Sequence, residues 1–402
     1  MASSGIVEYL KSPALVVRVQ EFFGIEYLHK DQTVPPEDQT NSKRAENGGT
    51  TRRKAPSTTA NGSSAGPNEE DSSSSSSGCD KDETAAATPA PYRVTNKFWH
   101  YLFLIGTELG DELFYATFIP FWFWNIDSAV GRRVVMVWSA VMYVGQTLKD
   151  VIRWPRPGYP VSRLQKKWAM EYGMPSTHAM VSVAIPFSVL IYTYDRYIYS
   201  LPAGLTFALV WCAVICFSRI YLGMHSVLDI FGGLALVVAL MVPLIPIVDR
   251  LDYAIVTGRW SPVFVLTISI ALIVFYPDSG IWTPTRGDTA LTVSVCAGIE
   301  IGAWLHYQLG DFSAPVAPPP YAIIWPSYAM IGMLLLRTIL GMCCIVATRA
   351  FGKSLSYAFV CFLLELSYKF FACFMIGFNT QYLLPNVFKL LRIGRPDFYT
   401  EI

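Results

Sequence analysis

Charge is scarce in this sequence. Only 15% of its 402 residues are Asp, Glu, Lys or Arg, against 52% hydrophobic, and the mean hydropathy is +0.36. That balance excludes an ordinary water-soluble domain of this size and makes the lipid bilayer the expected solvent. Net charge is nearly absent too: 31 basic and 30 acidic residues leave +1. No global field draws in nucleic acid, none is expected as a partner, and any anion must be recognised locally. The eight cysteines form no CxxC or other metal-binding spacing, and all but Cys79 fall in apolar stretches where they read as small buried side chains. Neither a metal nor another cofactor is expected. Residues 1–30 lack an uninterrupted apolar run, because Glu8, Lys11, Arg18, Glu21 and Glu26 break it. A cleaved signal peptide is therefore not expected, and the first membrane helix serves as the insertion signal.

Within residues 1–30, Val16, Val19, Phe23 and Tyr27 recur at helical spacing, which predicts a short amphipathic helix lying on the membrane or on the protein. Residues 31–91 are Ser, Thr, Gly, Asn, Pro and charge, with the run Ser72 to Ser77 at their centre. Such a segment buries too little surface to offset its ordering entropy and reads as a disordered polar linker. From Tyr92 to the end, apolar runs long enough to cross a bilayer recur about nine times. They lie near residues 98–124, 134–149, 178–194, 201–217, 227–248, 262–276, 289–308, 328–347 and 355–378. The runs are continuous and do not alternate, so helices and not barrel strands are expected, and 92–402 reads as one all-α, polytopic membrane domain. Charges that fall inside these runs matter, since each costs about 2.5–3.5 kcal/mol at a bilayer centre. Glu108, Asp111 and Glu112 in the first run must face protein or water, or else the span starts later. Glu365 and Lys369 in the last run are spaced as a helix pair.

Histidine is the scarcest chemical resource, with five in the chain, and two of the five sit in polar loops. The first loop reads K-D-V-I-R-W-P-R-P from Lys149 to Pro157 and then P-S-T-H from Pro175 to His178; the second reads S-R-I-Y-L-G-M-H-S-V-L-D from Ser218 to Asp229. Two spans separate these loops, so both emerge on one side of the membrane and can share a pocket. Cleaving a phosphate monoester needs neutralisation of the non-bridging oxygens, an in-line nucleophile, and an acid for the leaving oxygen. Arg156 and Arg219 supply planar cationic forks and Lys149 a point charge. Pro175, Ser176 and Thr177 read as a helix start whose free N–H groups face the same anion. His225 and Asp229, four apart at the start of a span, share a helical face. The carboxylate can fix the ring tautomer while the other nitrogen attacks phosphorus, and His178 can protonate the leaving oxygen and then activate water. The rival reading is a lipid-phosphate transporter, which needs the cations but neither nucleophile nor acid.

These loops resemble three ordered motifs of the type 2 phosphatidic acid phosphatase superfamily. Lys149 to Pro157 matches KX6RP, and Ser218 to Asp229 matches SRX5HX3D. The middle motif is usually P-S-G-H there, and Thr177 stands in the glycine's place, as it does in sphingosine-1-phosphate phosphatases. The stretches G-T-E-L-G-D-E-L-F-Y and E-Y-G-M-P-S-T-H-A-M are similar to that narrower family, a resemblance that runs over roughly Tyr92 to Ala350, and the N-terminal V-R-V-Q-E-F-F-G-I resembles the start of such proteins. The resemblance implies His225 as nucleophile, Asp229 as its orienting partner, and His178 as general acid. It also implies Lys149, Arg156, Ser176, Thr177 and Arg219 as phosphate ligands. The activity it implies is metal-independent hydrolysis of sphingosine 1-phosphate and related long-chain base phosphates, by a multi-pass protein of the endoplasmic reticulum membrane. Phosphatidate, a prenyl phosphate or a sugar phosphate would suit the same motifs. The partners expected are thus a lipid phosphate and membrane lipids; no feature sets an oligomeric state. A near copy of the first motif, Lys389 followed by Arg395 and Pro396, is one residue short and reads as an interfacial basic tail.

Overall fold

The computed structural model describes residues 2–28, 91–165, 170–277, 279–280, 283–312, 318–358 and 362–395. The expected polar linker lies outside the described residues, apart from its last one, and so does the Glu365 side chain of the expected helix pair.

Two short helices open the chain, α1 (Ala2–Lys11) and α2 (Pro13–Phe22). Ser12 caps α2 through its hydroxyl, which accepts from the Ala14 N–H at 3.3 Å, and Pro13 suits the first helical position. The helical spacing of the apolar residues stops short of Tyr27, which lies in strand β1 (Ile25–Tyr27), paired antiparallel with β2 (Tyr92–Val94), Ile25 opposite Val94. Gly24, at φ +91°, makes the turn from α2 into β1 and lies where any Cβ would press on Asn96. Of the two places expected for this segment, it takes the protein surface. Val16 is fully buried among Val161, Ile220 and Ile230, and the Gln20 amide donates to the carbonyls of Ser162 (2.9 Å) and Tyr221 (2.8 Å).

The expected first span is corrected: it is two helices, α3 (Lys97–Glu108) and α4 (Glu112–Asn125), broken at Leu109–Gly110–Asp111. Asp111 starts α4 without capping it, because its carboxylate is engaged elsewhere. After these come α5 (Ser128–Ile152), α6 (Thr177–Tyr194), α7 (Leu201–Tyr221), α8 (Val227–Thr257), α9 (Ser261–Val274) and α10 (Thr285–Gln308). The chain ends with α11 (Tyr328–Ala358), α12 (Phe362–Phe378), a π-helical turn (Asn379–Leu383) and α13 (Leu384–Leu390). Two-residue strands β3 (Tyr197–Ile198) and β4 (Tyr321–Ala322) pair in parallel between spans.

Five described helices, α6, α7, α8, α10 and α11 up to Ser354, are long and apolar enough to cross a membrane, and α9 is a shorter apolar helix. The molecule is an all-α, multi-pass membrane protein. Of the apolar window of α10, 67% is buried, against 22% for α7 and α8 and 17% for α11. Helix α10 therefore runs through the interior, and the other three present their side chains outward, as lipid-facing helices must. Small residues let α10 and α12 approach: a Cβ at Gly298 would meet the Phe374 carbonyl, and one at Gly377 the Val295 carbonyl. Helix α5 carries four charged residues, Arg132, Arg133, Lys149 and Asp150, and buries all but Arg133. Arg132 binds Asp252 of α8 at 2.9 Å with both side chains fully buried. Near its other end, Asp150 accepts from the Tyr276 hydroxyl (2.7 Å) and the Thr285 hydroxyl (2.5 Å), fixing that end of α5 to α10.

Candidate active site

Four helix ends converge: the C-termini of α5 and α7, and the N-termini of α6 and α8. The parity expected of the two loops is thus met in space. Lys149, in the last turn of α5 and 1% exposed, donates to the Thr177 hydroxyl at 3.0 Å and to Glu171 Oε2 at 2.6 Å. Arg153 ends α5 in the left-handed region, φ 55°, and turns the chain back so that Arg156 crosses towards α8. Arg156 donates from Nε to the Glu171 carbonyl (2.8 Å) and from Nη1 to the Met224 carbonyl (2.7 Å), and Nη1 also lies 3.3 Å from His225 Nε2.

That last contact settles a tautomer. Guanidinium nitrogens only donate, so His225 Nε2 must present its lone pair, and the ring proton of neutral His225 sits on Nδ1. Burial, followed by the charges of Arg156, Arg219 and Lys149, holds the His225 imidazole well below the usual histidine range, so it is neutral at pH 7. Burial also pushes Arg156 down to about 10, which leaves it cationic at neutral pH.

Asp229 sits differently from its expected place as a direct partner. His225 precedes α8, Ser226 is the N-cap, and Asp229 closes a capping box: its Oδ2 accepts from the Ser226 N–H at 2.7 Å and its own N–H donates to Ser226 Oγ at 3.2 Å. His225 Nδ1 is 3.9 Å from that same oxygen, beyond hydrogen-bond reach. Among the described residues, both His225 Nδ1 and Asp229 Oδ1 are buried without a hydrogen-bond partner.

The remaining expected ligands surround the same point. Ser176 caps α6, its Oγ accepting from the Ala179 N–H at 3.4 Å, while its own N–H donates to the Asp229 carbonyl at 3.2 Å, which ties the two motif loops together. The N–H groups of Thr177 and His178 at this helix start have no partner within the helix. Arg219 is fully buried, donating from Nη1 to Thr107 Oγ1 (2.6 Å) and Gln165 Oε1 (2.9 Å); among the described residues its Nε and Nη2 have no hydrogen-bond partner.

Three participants escaped sequence reasoning. Glu171 is the counter-ion of the cationic cluster: burial would raise its carboxyl, but Lys149 and Arg156 outweigh that and hold it below the usual carboxylate range. Thr107 anchors Arg219. Asp111, 3% exposed, shares a hydrogen bond with His178 Nε2 at 3.1 Å. The acid-rich run in the first span had marked Asp111 as unusual, but nothing in sequence pairs it with a histidine 67 residues on. Among the described residues, no three His, Cys, Asp or Glu side chains are placed to hold a metal ion.

An imidazole lone pair ringed by buried cations is suited to attack on a phosphate ester. Residues 130–253 match the PAP2 superfamily, a span that contains all eight expected site residues. The chain is 37% identical to sphingosine-1-phosphate phosphatase 1 of Mus musculus over 325 residues, 75% of this chain and 74% of that protein. The chain belongs to the sphingosine-1-phosphate phosphatase family. It is 45% identical to sphingosine-1-phosphate phosphatase 2 of Mus musculus over 56% of this chain and 64% of the relative. Against the Homo sapiens protein of the same description it is 44% identical over 57% and 58%. No solved structure matches it. As a member of this family it is a membrane-embedded lipid phosphate phosphatase. Thr107 and Asp111 lie before the superfamily match, so two of the contacts that hold the site come from outside that core.

Proposed function

We propose that the protein hydrolyses sphingosine 1-phosphate and related long-chain base phosphates, such as dihydrosphingosine 1-phosphate, in the endoplasmic reticulum membrane. The reaction runs without a metal and through a phosphohistidine. The observation that carries the mechanism is the 3.3 Å contact of Arg156 Nη1 with His225 Nε2, which leaves a lone pair directed at a cationic cluster. The relatives named above support the substrate.

Substrate phosphate takes up the unused donors of Arg219, the N–H groups at the start of α6, Thr177 and Lys149, and it displaces Arg156 from the His225 lone pair. His225 Nε2 then forms a bond to phosphorus while the phosphorus–oxygen bond to the lipid breaks. The leaving oxygen takes a proton from His178, whose charged form is stabilised by Asp111. Positive charge developing on His225 draws its Nδ1–H towards Asp229, closing the 3.9 Å gap. In the second half, neutral His178 removes a proton from water as its oxygen attacks phosphorus, the nitrogen–phosphorus bond breaks, and phosphate leaves with His225 neutral again. Lys149, Arg156 and Arg219 carry the charge neutralisation that a metal would otherwise supply.

The test is phosphate release from sphingosine 1-phosphate and from phosphatidate by purified protein in detergent with EDTA, for wild type and His225→Ala. Release from the sphingoid substrate alone, lost in the variant, is the expected result. Release only from phosphatidate overturns the substrate, and dependence on added metal overturns the mechanism.

A further inference from the structure

The break that frees Asp111 also places Glu112 in the first turn of α4, and Asp288 stands in the first turn of α10. Their carboxyl groups meet within hydrogen-bond reach of each other, and Lys149 and Glu171 of the catalytic cluster lie close enough to act on Asp288 through their charges. Among the described residues, neither Glu112 nor Asp288 is part of an ion pair. Glu112 is exposed and Asp288 half-buried, so the pair can be reached from outside the helices. The reaction steps make no use of either. Two carboxylates face to face repel, so one must hold a proton unless a cation comes between them. A second observation, on a neighbouring helix, points to the same space. Gln146 of α5 is 3% exposed, and its Oε1 has no hydrogen-bond partner among the described residues. Its direction follows from its neighbours on the helix. Tyr143 packs on Ala290 and Val293 of α10, and Asp150 accepts from Thr285, so that edge of α5 runs antiparallel along α10. Lys149 marks the next edge, turned to Thr177. Gln146, three residues before Lys149 and four before Asp150, lies between the two edges and level with Asp288. Tyr115 of α4, one turn beyond Glu112 and with its ring 5.5 Å from that of Trp138 in α5, likewise buries a hydroxyl without a partner among the described residues. Polar groups left unpaired in this way are costly and rare.

Given the hydrolysis proposed above, on which this step rests, we infer that Glu112 and Asp288 bind the ammonium group of the substrate while Gln146 Oε1 accepts from the hydroxyl beside it. The space they line then selects long-chain base phosphates over lipid phosphates without an amine. In a long-chain base 1-phosphate the amine and the phosphate oxygen are on adjacent carbons. A phosphate held by Lys149 and Arg219 therefore carries the ammonium towards carboxyls that already lie in the field of Lys149. An ammonium has three donors, enough to serve both carboxyls, and the proton shared by the pair is released as it enters. Phosphatidate has an ester oxygen at that carbon and offers the pair no positive charge.

The test measures phosphate release by purified full-length protein in detergent from dihydrosphingosine 1-phosphate and from 3-hydroxyoctadecyl phosphate, which lacks only the amine. Wild type is expected to show a KM about thirtyfold lower for the amine lipid, the worth of one charge-assisted hydrogen bond. Glu112→Gln combined with Asp288→Asn is expected to erase that difference by raising KM for the amine lipid alone, with kcat unchanged, as loss of uniform binding does. Gln146→Leu keeps both carboxyls and is expected to raise KM for both lipids about fivefold, the loss of one hydrogen bond, with the amine preference intact. Equal KM values in wild type overturn amine recognition, and so does a preference that survives in the double variant. An equal loss on both lipids in the double variant overturns it too, since the carboxyls would then only support the fold. Unchanged KM values in Gln146→Leu overturn this space as the place of the headgroup. Turnover of phosphatidate with neither of the two lipids cleaved overturns the sphingoid reading itself, and amine recognition with it.

Discussion

Arg156 does at His225 what a carboxylate does at the other ring nitrogen in many histidine nucleophiles: it selects the tautomer. Because the guanidinium can only donate, the nitrogen it faces must hold a lone pair. The site's cations then act on His225 in a second way, since with burial they keep the ring unprotonated. The sign is simple: a histidine held below its ordinary value of about 6.5 is already neutral at that pH and gains a proton only in more acid solution. The acid limb of kcat/KM is therefore expected below about pH 6.5, and a midpoint at or above that value contradicts the neutral nucleophile. Asp111 makes a separate prediction through His178. Asp111→Asn removes the carboxylate that stabilises the charged acid, so turnover of a long-chain base phosphate, with its poor alkoxide leaving group, should fall about a hundredfold. Hydrolysis of p-nitrophenyl phosphate, whose leaving group needs no proton, should change little. An equal loss on both substrates would mean that Asp111 only supports the fold. Glu171 competes with phosphate for Lys149 and Arg156. Glu171→Gln is expected to tighten product inhibition by inorganic phosphate about tenfold, the worth of one charge-assisted contact, read as a fall in the inhibition constant.

At the scale of elements, the break between α3 and α4 is the feature on which the site's geometry turns. A continuous helix through 97–125 would carry Asp111 within a regular turn; the interruption frees its carboxylate to reach His178 and leaves Thr107, in the turn before, against Arg219. The sequence showed the acidic run and its cost in a membrane but not its partners, because hydropathy sums over a window and registers no direction. The motif residues were legible for the opposite reason. Lys149, Arg156, His178, Arg219, His225 and Asp229 lie at helix ends, where spacing along the chain fixes spacing in space, and parity of the intervening spans brings the ends together. Their finer geometry was not legible: the capping box that takes up Asp229 competes with the expected histidine contact, and only side-chain positions show which holds. The α10–α12 crossing makes its own prediction. A methyl group at Gly298 has the Phe374 carbonyl in its way, backbone that cannot swing aside, so Gly298→Ala should destabilise by about 1–3 kcal/mol, as overpacking does. A lowered midpoint of thermal unfolding in detergent checks this. Gly158→Ala, where a Cβ meets nothing within 4 Å, should leave the midpoint where it is.

Across the whole molecule, α5 joins two basic ends. Its last turn holds Lys149 among the catalytic loops, and its first turn borders the cavity lined by Lys389 and Arg395. Its length of 25 residues is about 37 Å at 1.5 Å per residue, enough to cross a hydrocarbon core of about 30 Å. An α5 that crosses puts its Lys149 end and its Ser128 end in different compartments. The positive-inside rule does not orient the bundle, because basic residues gather at both ends and those of the motif loops are proposed phosphate ligands. On the proposed reading of the chain, the His225 end faces the lumen. Single cysteines at Gly158, beside the catalytic loop and open to solvent, and at Leu391, 52% exposed near the C-terminal segment, put this to the test in a background without other reactive thiols. In sealed microsomes, a membrane-impermeant maleimide should label Leu391→Cys at once and Gly158→Cys only after the membrane is permeabilised. The reverse order would place the His225 end in the cytosol and the Lys389 end in the lumen. Labelling of both before permeabilisation would mean that α5 does not cross.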